Sequence, residues 1–433
     1  MTFTKISDIL DGKISEGKEV KLRGWIYRTR SSGKIVFMVL RDSAGIIQVP
    51  ISRESVGDEK FTHAKNALIE SSMEIKGLVK KDSRAPGGYE VQANDVNVVG
   101  KSDVFPITKD QSDEFLSDVR HLWLRSRETT AYLKIRSTVF NAFREYLNGQ
   151  GYYETQGPMF VSGACEGGAT LFKVPYFEKT VLNLTQSSQM YLEAVMTSLE
   201  KVYTIAPSFR AEESRTRRHL TEFWHAEGET AWFHNEDMMN EEEKMIEFIC
   251  RSVLERNKNE LDLLKRDIKK LEQIKAPFPK ITYERALEIG NKNGLNLSWG
   301  ADFGYEEEKA ITKDFDKPVF ITHYPKETKA FYHRPDPSNP KVVLNHDLLA
   351  PEGYGEIIGG GERIYELDIL LQRMKEENMN EADYAWYVDL RKYGTVPHSG
   401  FGLGLDRTVA WIAGAEHIKH VVPFPRTMRR YYP

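Results

Sequence analysis

Two stretches of this sequence place cations, carboxylates, glycines and aromatics close enough together to do chemistry. The first is Ser208-Phe-Arg210-Ala-Glu212-Glu-Ser-Arg-Thr-Arg-Arg218-His219-Leu-Thr-Glu-Phe223. A strand-like entry leads into a basic loop, and a strand-like exit ends on an aromatic. Side chains on a strand repeat every two residues, so Arg210 and Glu212 are expected on one face. That face offers a cation to a phosphate and a carboxylate to an amino group. Taken alone, the same pattern also reads as a surface hairpin with an ion pair. The second stretch is Gly400-Phe-Gly402-Leu-Gly404-Leu-Asp406-Arg407-Thr-Val-Ala-Trp411. Its glycines let a ligand or a neighbouring backbone approach closely. Arg407 falls near the start of the helix that follows, where a guanidinium can stack on a planar base.

These stretches need elements to hold them. Residues 19–49 read as strands, EVKLRGWIYRTR and then KIVFMVLRDSAGIIQVPI, with apolar and polar positions alternating. A helical patch, DEKFTHAKNALIES, precedes two further strands, SSMEIKGLVKK and GGYEVQANDVNVVG. Five short strands and one helix in about 100 residues suit a small closed barrel of the OB type, or on composition an SH3-like one. The segment 104–127 reads as a hinge. Beyond it an amphipathic helix, TAYLKIRSTVFNAFREYLNGQG, stops at the turn that runs from Gly149 to Pro158. Strand-like runs and glycine turns then alternate with helices to the end. The charged stretch around 236–300 reads as a solvated helical insertion with no chemistry of its own. The expected domains are therefore 1–103, a barrel; 104–127, a linker; and 128–433, a larger α+β domain.

In order and together, the three segments resemble motifs 1, 2 and 3 of the class II aminoacyl-tRNA synthetases. Pro158 stands at the motif 1 proline, Arg210 and Glu212 at the motif 2 pair, and Arg407 at the motif 3 arginine. The resemblance spans essentially the whole chain, and a barrel before the catalytic part is similar to the aspartyl/asparaginyl/lysyl subgroup. It implies an OB-fold barrel plus an antiparallel sheet flanked by helices. It also implies ATP as substrate, Mg²⁺, a tRNA partner and a homodimer; a cytoplasmic location is expected from the cysteine count, two in 433 residues. The catalytic residues it implies are Arg210, Arg407 and Glu356. ATP is expected on Arg210, Glu212, Arg218, His219, Phe223, Glu356, Gly404 and Arg407, with the adenine between Phe223 and Arg407. Asp347 and Glu356 match acidic positions that hold ATP-bound Mg²⁺; Gly359 stands where aspartyl enzymes carry a serine.

For the amino acid, the resemblance places Glu166 and Glu227 near the substrate ammonium, with Gln189, Glu193 and Arg363 around the side chain. Aspartyl enzymes carry a lysine in a QSPQxxK pattern, whereas this sequence has Gln186-Ser-Ser-Gln189-Met-Tyr-Leu192-Glu193. A glutamate can accept from an amide and repels a carboxylate, so Glu193 is expected to favour asparagine over aspartate, and the tRNA partner to be tRNA(Asn). In the barrel, Phe37 and Gln48 match positions that stack on and hydrogen-bond the central anticodon base, although Phe37 also reads as a barrel-core residue. An aspartyl enzyme, discriminating or not, a tRNA-independent asparagine synthetase on the same domain, and an inactive RNA-binding relative remain as alternatives.

Bulk composition sets outer bounds. With 433 residues, 40% hydrophobic and 29% charged, the chain is built like a soluble globular protein of two or more domains. Its net charge of −4 gives no overall signal for nucleic acid, although basic residues gather at 18–41, at 210–218 and in the tail at Arg426, Arg429 and Arg430. No apolar run approaches the roughly 20 residues that span a bilayer. Nor does the N-terminus show a basic segment followed by an apolar one. Two cysteines, Cys165 and Cys250, make no disulfide framework, and Cys165 is expected to be buried and inert.

Overall fold

The structure, a computed structural model, describes residues 2–433 apart from 166–169, 179 and 214–215. It divides into two compact units, Met1–Leu116 and Ser117–Pro433.

The first unit is a closed five-stranded barrel of strands Glu19–Ser32, Ile35–Arg41, Ile46–Ser52, Ser72–Lys81 and Tyr89–Gly100. The first strand pairs with both the second and the fourth, and a parallel contact of Gln48 with Glu90 closes the cylinder. Alternation does the sorting: Val36, Met38 and Leu40, with Ile47, Val49 and Ile51, point inward and are at most 1% exposed. This is the OB arrangement, and the SH3-like alternative falls away. Phe37 and Gln48 occupy the outward positions between those core residues. Phe37 is therefore not a core residue; the Arg30 guanidinium lies 4.8 Å from its ring centre, and Gln48 donates to Glu90 at 3.1 Å.

The second unit is built on an eight-stranded sheet. Its order is Lys280–Thr282, Val319–Thr322, Asn345–Ala350, Gly355–Glu362, His398–Gly404, Glu222–Ala231, Lys201–Phe209 and Tyr153–Glu154. The five central pairings are antiparallel and the two at the edges are parallel. Helix Arg127–Gly149 starts where the Ser126 hydroxyl accepts from Thr129 N at 3.1 Å. It buries Ile135, Val139, Phe143 and Leu147 against the sheet core.

Two expectations are corrected here. The 104–127 segment is not a free hinge throughout, because Arg120 is 3% exposed and donates to the carbonyls of Val422 at 2.6 Å and Pro423 at 2.9 Å. The helix Asn235–Arg256 is not a solvated insertion. Met238, Met245, Ile246, Ile249 and Val253 form an apolar stripe inside the main core. Even its charge is used inside: Glu242 and His346 are fully buried and meet at 2.7 Å.

Candidate active site

The cleft floor follows from two-residue periodicity on paired strands. On Glu222–Ala231, residues Phe223, His225, Glu227 and Glu229 share one face. The neighbouring strand His398–Gly404 sets Gly404 opposite His225, Gly402 opposite Glu227 and Gly400 opposite Glu229. The strand beyond sets Gly359 opposite Gly402, and Asp347 stands opposite Gly359. One cross-strand row thus reads Asp347, Gly359, Gly402, Glu227. It is an acid at each end with two glycines between, about 14 Å long at the usual strand spacing. The glycines are required: a Cβ at Gly402 would lie 2.5 Å from His225 Nε2, and one at Gly400 would fall on the Glu229 carboxylate. The glycines leave room for the His225 and Glu229 side chains, which lie over Gly402 and Gly400.

Beside the middle of this row, at Gly402 and along the same strand to Gly404, opens a cleft. Its walls include Arg210, Glu212, Arg218, His219, Phe223, Glu356, Gly404 and Arg407. All eight residues expected around ATP therefore surround one space. Their means of arrival differs from expectation in one respect. The strand ends at Phe209, so Arg210 and Glu212 lie on the loop beyond it rather than on a strand face. Arg210 N still donates to Thr221 O at 3.0 Å, which keeps the loop closed against the hairpin. The Arg210 guanidinium lies 5.4 Å from the Phe223 ring centre. Arg407 donates to Glu356 O at 3.1 Å and stands 3.6 Å from its carboxylate. The helix that carries Arg407 is fixed at its start by Asp406. That carboxylate accepts from Trp224 N at 2.9 Å and pairs with Arg136.

Charge in the cleft is balanced rather than simply positive. Burial works to raise the Glu356 carboxyl, but Arg407, Lys329, Arg218 and Arg210 outweigh it and hold Glu356 below the usual carboxylate range. A register shift between Leu348 and Leu349 lets Glu356 turn inward, where its side chain is 39% exposed. Asp347 moves the other way, raised by burial and by Glu356 against the pull of Lys329, whose ammonium is 2.7 Å away. Burial, with Arg407 and Arg218 beside it, pushes His219 down to about 4, so its ring is neutral at pH 7.

A Cβ built at Gly359 would lie 3.4 Å from one Glu356 oxygen and 3.5 Å from one Asp347 oxygen. The two carboxylates thus face each other across a glycine. Among the described residues no group of three His, Cys, Asp or Glu side chains could hold a metal ion. Two carboxylates suit a hard cation that takes its other oxygens from phosphate and water.

Two residues along the strand from Glu227, at Glu229, lies a deeply buried part of the site. Arg363 pairs with Glu229 at 2.6 Å, and both are at most 3% exposed. Burial raises the Glu229 carboxyl, with Glu193 and Glu227 adding to the effect and Arg363 opposing it. Glu227 accepts from Ser188 N at 2.8 Å and from the Ser187 hydroxyl. Its closest histidine nitrogen is His225 Nδ1 at 3.5 Å, and no Arg or Lys pairs with it among the described residues.

Glu193 is not where the sequence put it. Its side chain has no exposed surface, and both oxygens are taken within the protein. Tyr387 donates at 2.8 and 2.9 Å, Arg391 at 2.6 Å and Gln189 at 3.1 Å, and the His398 ring lies at 3.1 Å. Burial works to raise this carboxyl, yet Arg391 and His398 overcome it and hold it low. The expected contact between Glu193 and the end of a substrate side chain is corrected: this group anchors Arg391 and the wall behind the pocket. Glu193→Gln is therefore expected to leave a buried arginine poorly paired, costing about 3–5 kcal/mol of stability in a urea melt without changing amino-acid preference. Gln189 is spent on Glu193, and Leu192 packs with Met196, Val202 and Ala231, so no cation stands at position 192. Glu166 lies outside the described residues. Cys165 is buried, as expected.

Several residues in this site escaped sequence reasoning. Glu229 was readable, since it lies two residues after Glu227 on one strand. Tyr387, Arg391 and Lys329 carried no local signal. Neither did Glu308, which pairs with Arg218 through both terminal nitrogens.

The model for class II tRNA synthetases (D, K and N) matches residues 112–428, and the model for an OB-fold nucleic acid binding domain matches residues 20–99. The asparagine–tRNA ligase of Thermoplasma acidophilum is 54% identical over 417 residues, covering 96% of this chain and 97% of the relative. That of Thermococcus kodakarensis is 52% identical over 419 residues, with the same coverage. The crystal structure of asparaginyl-tRNA synthetase from Pyrococcus horikoshii complexed with asparaginyl-adenylate superposes with a TM-score of 0.94. It is 48% identical, with 96% of this chain and 97% of that chain covered.

Proposed function

The chain belongs to the class II tRNA synthetases of the D, K and N group, and we propose that it is the member that joins asparagine to tRNA. The observation that carries this reading is one cleft that gathers Arg210, Glu212, Arg218, His219, Phe223, Glu356 and Arg407, beside a buried group in which Glu229 stands near both Arg363 and Glu227. It activates asparagine with ATP to asparaginyl-adenylate and then transfers the asparaginyl group to the 3′ end of tRNA(Asn).

In the first step a carboxylate oxygen of asparagine bonds to the α-phosphorus, and the bond from that phosphorus to the bridging oxygen breaks. Pyrophosphate leaves with the electron pair. No protein nucleophile is needed, so positioning and charge stabilisation supply the rate. Arg210 stabilises the charge that builds on the α-phosphate. Phe223 and Arg407 hold the adenine by its faces, and Glu212 accepts from its amino group. Arg218 and the neutral His219 donate to the outer phosphates. Asp347 and Glu356 would hold Mg²⁺, which when bound neutralises phosphate charge. In the second step a terminal ribose hydroxyl of the tRNA attacks the asparaginyl carbonyl and AMP departs.

Selection of the amide rests on the corner around Glu227. Arg363 is already matched by Glu229, so it donates to a side-chain carbonyl without offering a free positive charge. Glu227, expected beside the substrate ammonium, is also the carboxylate best placed to accept from the side-chain NH₂. An aspartate there sets two anions together at a desolvated site.

The barrel binds the anticodon through the outward Phe37 and Gln48, with residues 1–103 as that domain and the main sheet as the catalytic one. Phe37→Ala is expected to raise the KM for tRNA about 10-fold, the loss of one base stack, while ATP–pyrophosphate exchange stays at the wild-type rate. A homodimer is supported by an exposed aromatic patch in which the Phe160 and Phe177 rings both pack on Tyr176. Among the described residues no helix is long and apolar enough to cross a membrane. A cytoplasmic location follows from the tRNA partner.

The direct test is incorporation of labelled asparagine into acid-precipitable tRNA. The reading requires incorporation with intact tRNA and none after periodate oxidation of its 3′ ribose. Incorporation that survives oxidation, or none at all, would overturn it.

A further inference from the structure

Helix Tyr305–Thr312 presents Tyr305 and Glu308 three residues apart, and so on one face. Arg218 is held between them. Its guanidinium carbon lies 5.8 Å from the Tyr305 ring centre, and both terminal nitrogens donate to the Glu308 carboxylate. The Glu308 side chain is 5% exposed. The same carboxylate also accepts from Glu356 N at 2.8 Å.

One buried group therefore fixes two sides of the cleft at once: a cation on the hinge-like loop after Phe209 and the first residues of the strand that carries Glu356. Gly355 makes this possible. Its φ is +72°, and a Cβ there would fall on both the Glu308 carboxylate and the Arg218 guanidinium. Arg218, Arg407 and Ile418 line both this cleft and a second cavity, so an Arg218 released from Glu308 has space to turn toward the second.

We propose that Glu308 is a positioning residue for adenylate formation, holding Arg218 at the outer phosphates of ATP and setting the backbone from which Glu356 projects. This rests on the nucleotide reading of the cleft. Glu308 touches no reacting atom; it acts by keeping a flexible guanidinium in one place, so that little ordering cost remains when ATP binds. A fork-shaped guanidinium needs a bidentate partner for that, which a carboxylate provides and an amide does not.

The test is asparagine-dependent ATP–pyrophosphate exchange on the full chain with Glu308→Gln, Glu308→Asp, Arg218→Ala and the double variant Glu308→Gln/Arg218→Ala. Glu308→Gln is expected to raise the KM for ATP about 10-fold, the scale of one charge-assisted hydrogen bond, with the KM for asparagine unchanged. Glu308→Asp keeps the charge and is expected to recover part of that loss. In the Arg218→Ala background, Glu308→Gln should change the KM for ATP much less than it does in the wild type, because its main target is gone. A KM for ATP within twofold of wild type in Glu308→Gln would overturn the proposal. So would a parallel rise in both KM values accompanying a lower melting temperature, which is what a merely structural role gives. Absence of exchange in the wild-type chain would instead overturn the nucleotide reading, so the two failures are distinct.

Discussion

Arg210→Ala is expected to lower asparagine-dependent ATP–pyrophosphate exchange by about 10²–10³-fold, with far-ultraviolet circular dichroism and melting temperature close to wild type. The size follows from where the charge develops. In the ground state the α-phosphate carries one negative charge, and in the transition state it shares the charge of the attacking carboxylate as well. A guanidinium already fixed over that position needs no reorganisation, and its removal leaves the charge to water that the walls largely exclude. The structure limits the collateral damage: Arg210 lies on a loop, its side chain leans on Phe223, and the loop is closed by a main-chain bond from Arg210 N to Thr221 O that alanine retains. Loss of kcat with little change in the KM for asparagine is the expected split, because the contact strengthens on the way to the transition state. Retention of more than a tenth of the wild-type rate contradicts this role.

The second large effect is on selectivity. Glu227→Gln is expected to shift the ratio of asparagine to aspartate exchange by about 10²-fold toward aspartate, since a like-charge contact at a desolvated site is worth several kcal/mol. Glutamine keeps the shape of the side chain, and its carbonyl oxygen can still accept from Ser188 N. What disappears is the anion that aspartate must meet. Glu229 cannot substitute, because its carboxylate is committed to Arg363 at 2.6 Å, and Glu193 has no exposed surface. Comparison of kcat/KM for the two amino acids in the variant and the wild type checks this. An unchanged ratio assigns selectivity elsewhere.

The barrel and the outline of the nucleotide cleft were legible in the sequence; of the amino-acid corner, Glu227 and Arg363 were reached through the resemblance, and Glu193 was misread. The barrel strands alternate cleanly because one face of each is buried and the other solvated, so Phe37 and Gln48 fall between core residues by simple counting. Arg210, Glu212, Arg407 and the glycines stood out by residue type and spacing, whereas Arg218, His219, Phe223 and Glu356 were placed by the resemblance to the synthetase motifs. Glu193 was misread because adjacency in sequence to Gln189 said nothing about Tyr387, Arg391 and His398, which lie about 200 residues later and take both of its oxygens. The helix Asn235–Arg256 was misread for a similar reason. Its charges drew attention, although Met238, Met245, Ile249 and Val253 already traced a helical stripe. Glu308 stood in a run of three glutamates, Glu306 to Glu308. Only the tertiary approach of Arg218 separates it from its solvated neighbours.

The proposed choice of an amide over an acid rests on Glu227, a carboxylate with no arginine or lysine partner among the described residues. The measurement that tests it most directly is exchange of labelled pyrophosphate into ATP by the wild-type protein, with asparagine and aspartate supplied in parallel at matched concentrations. A kcat/KM at least about 10²-fold higher for asparagine is the result that the geometry at Glu227 and Arg363 predicts. Equal turnover of the two would contradict it.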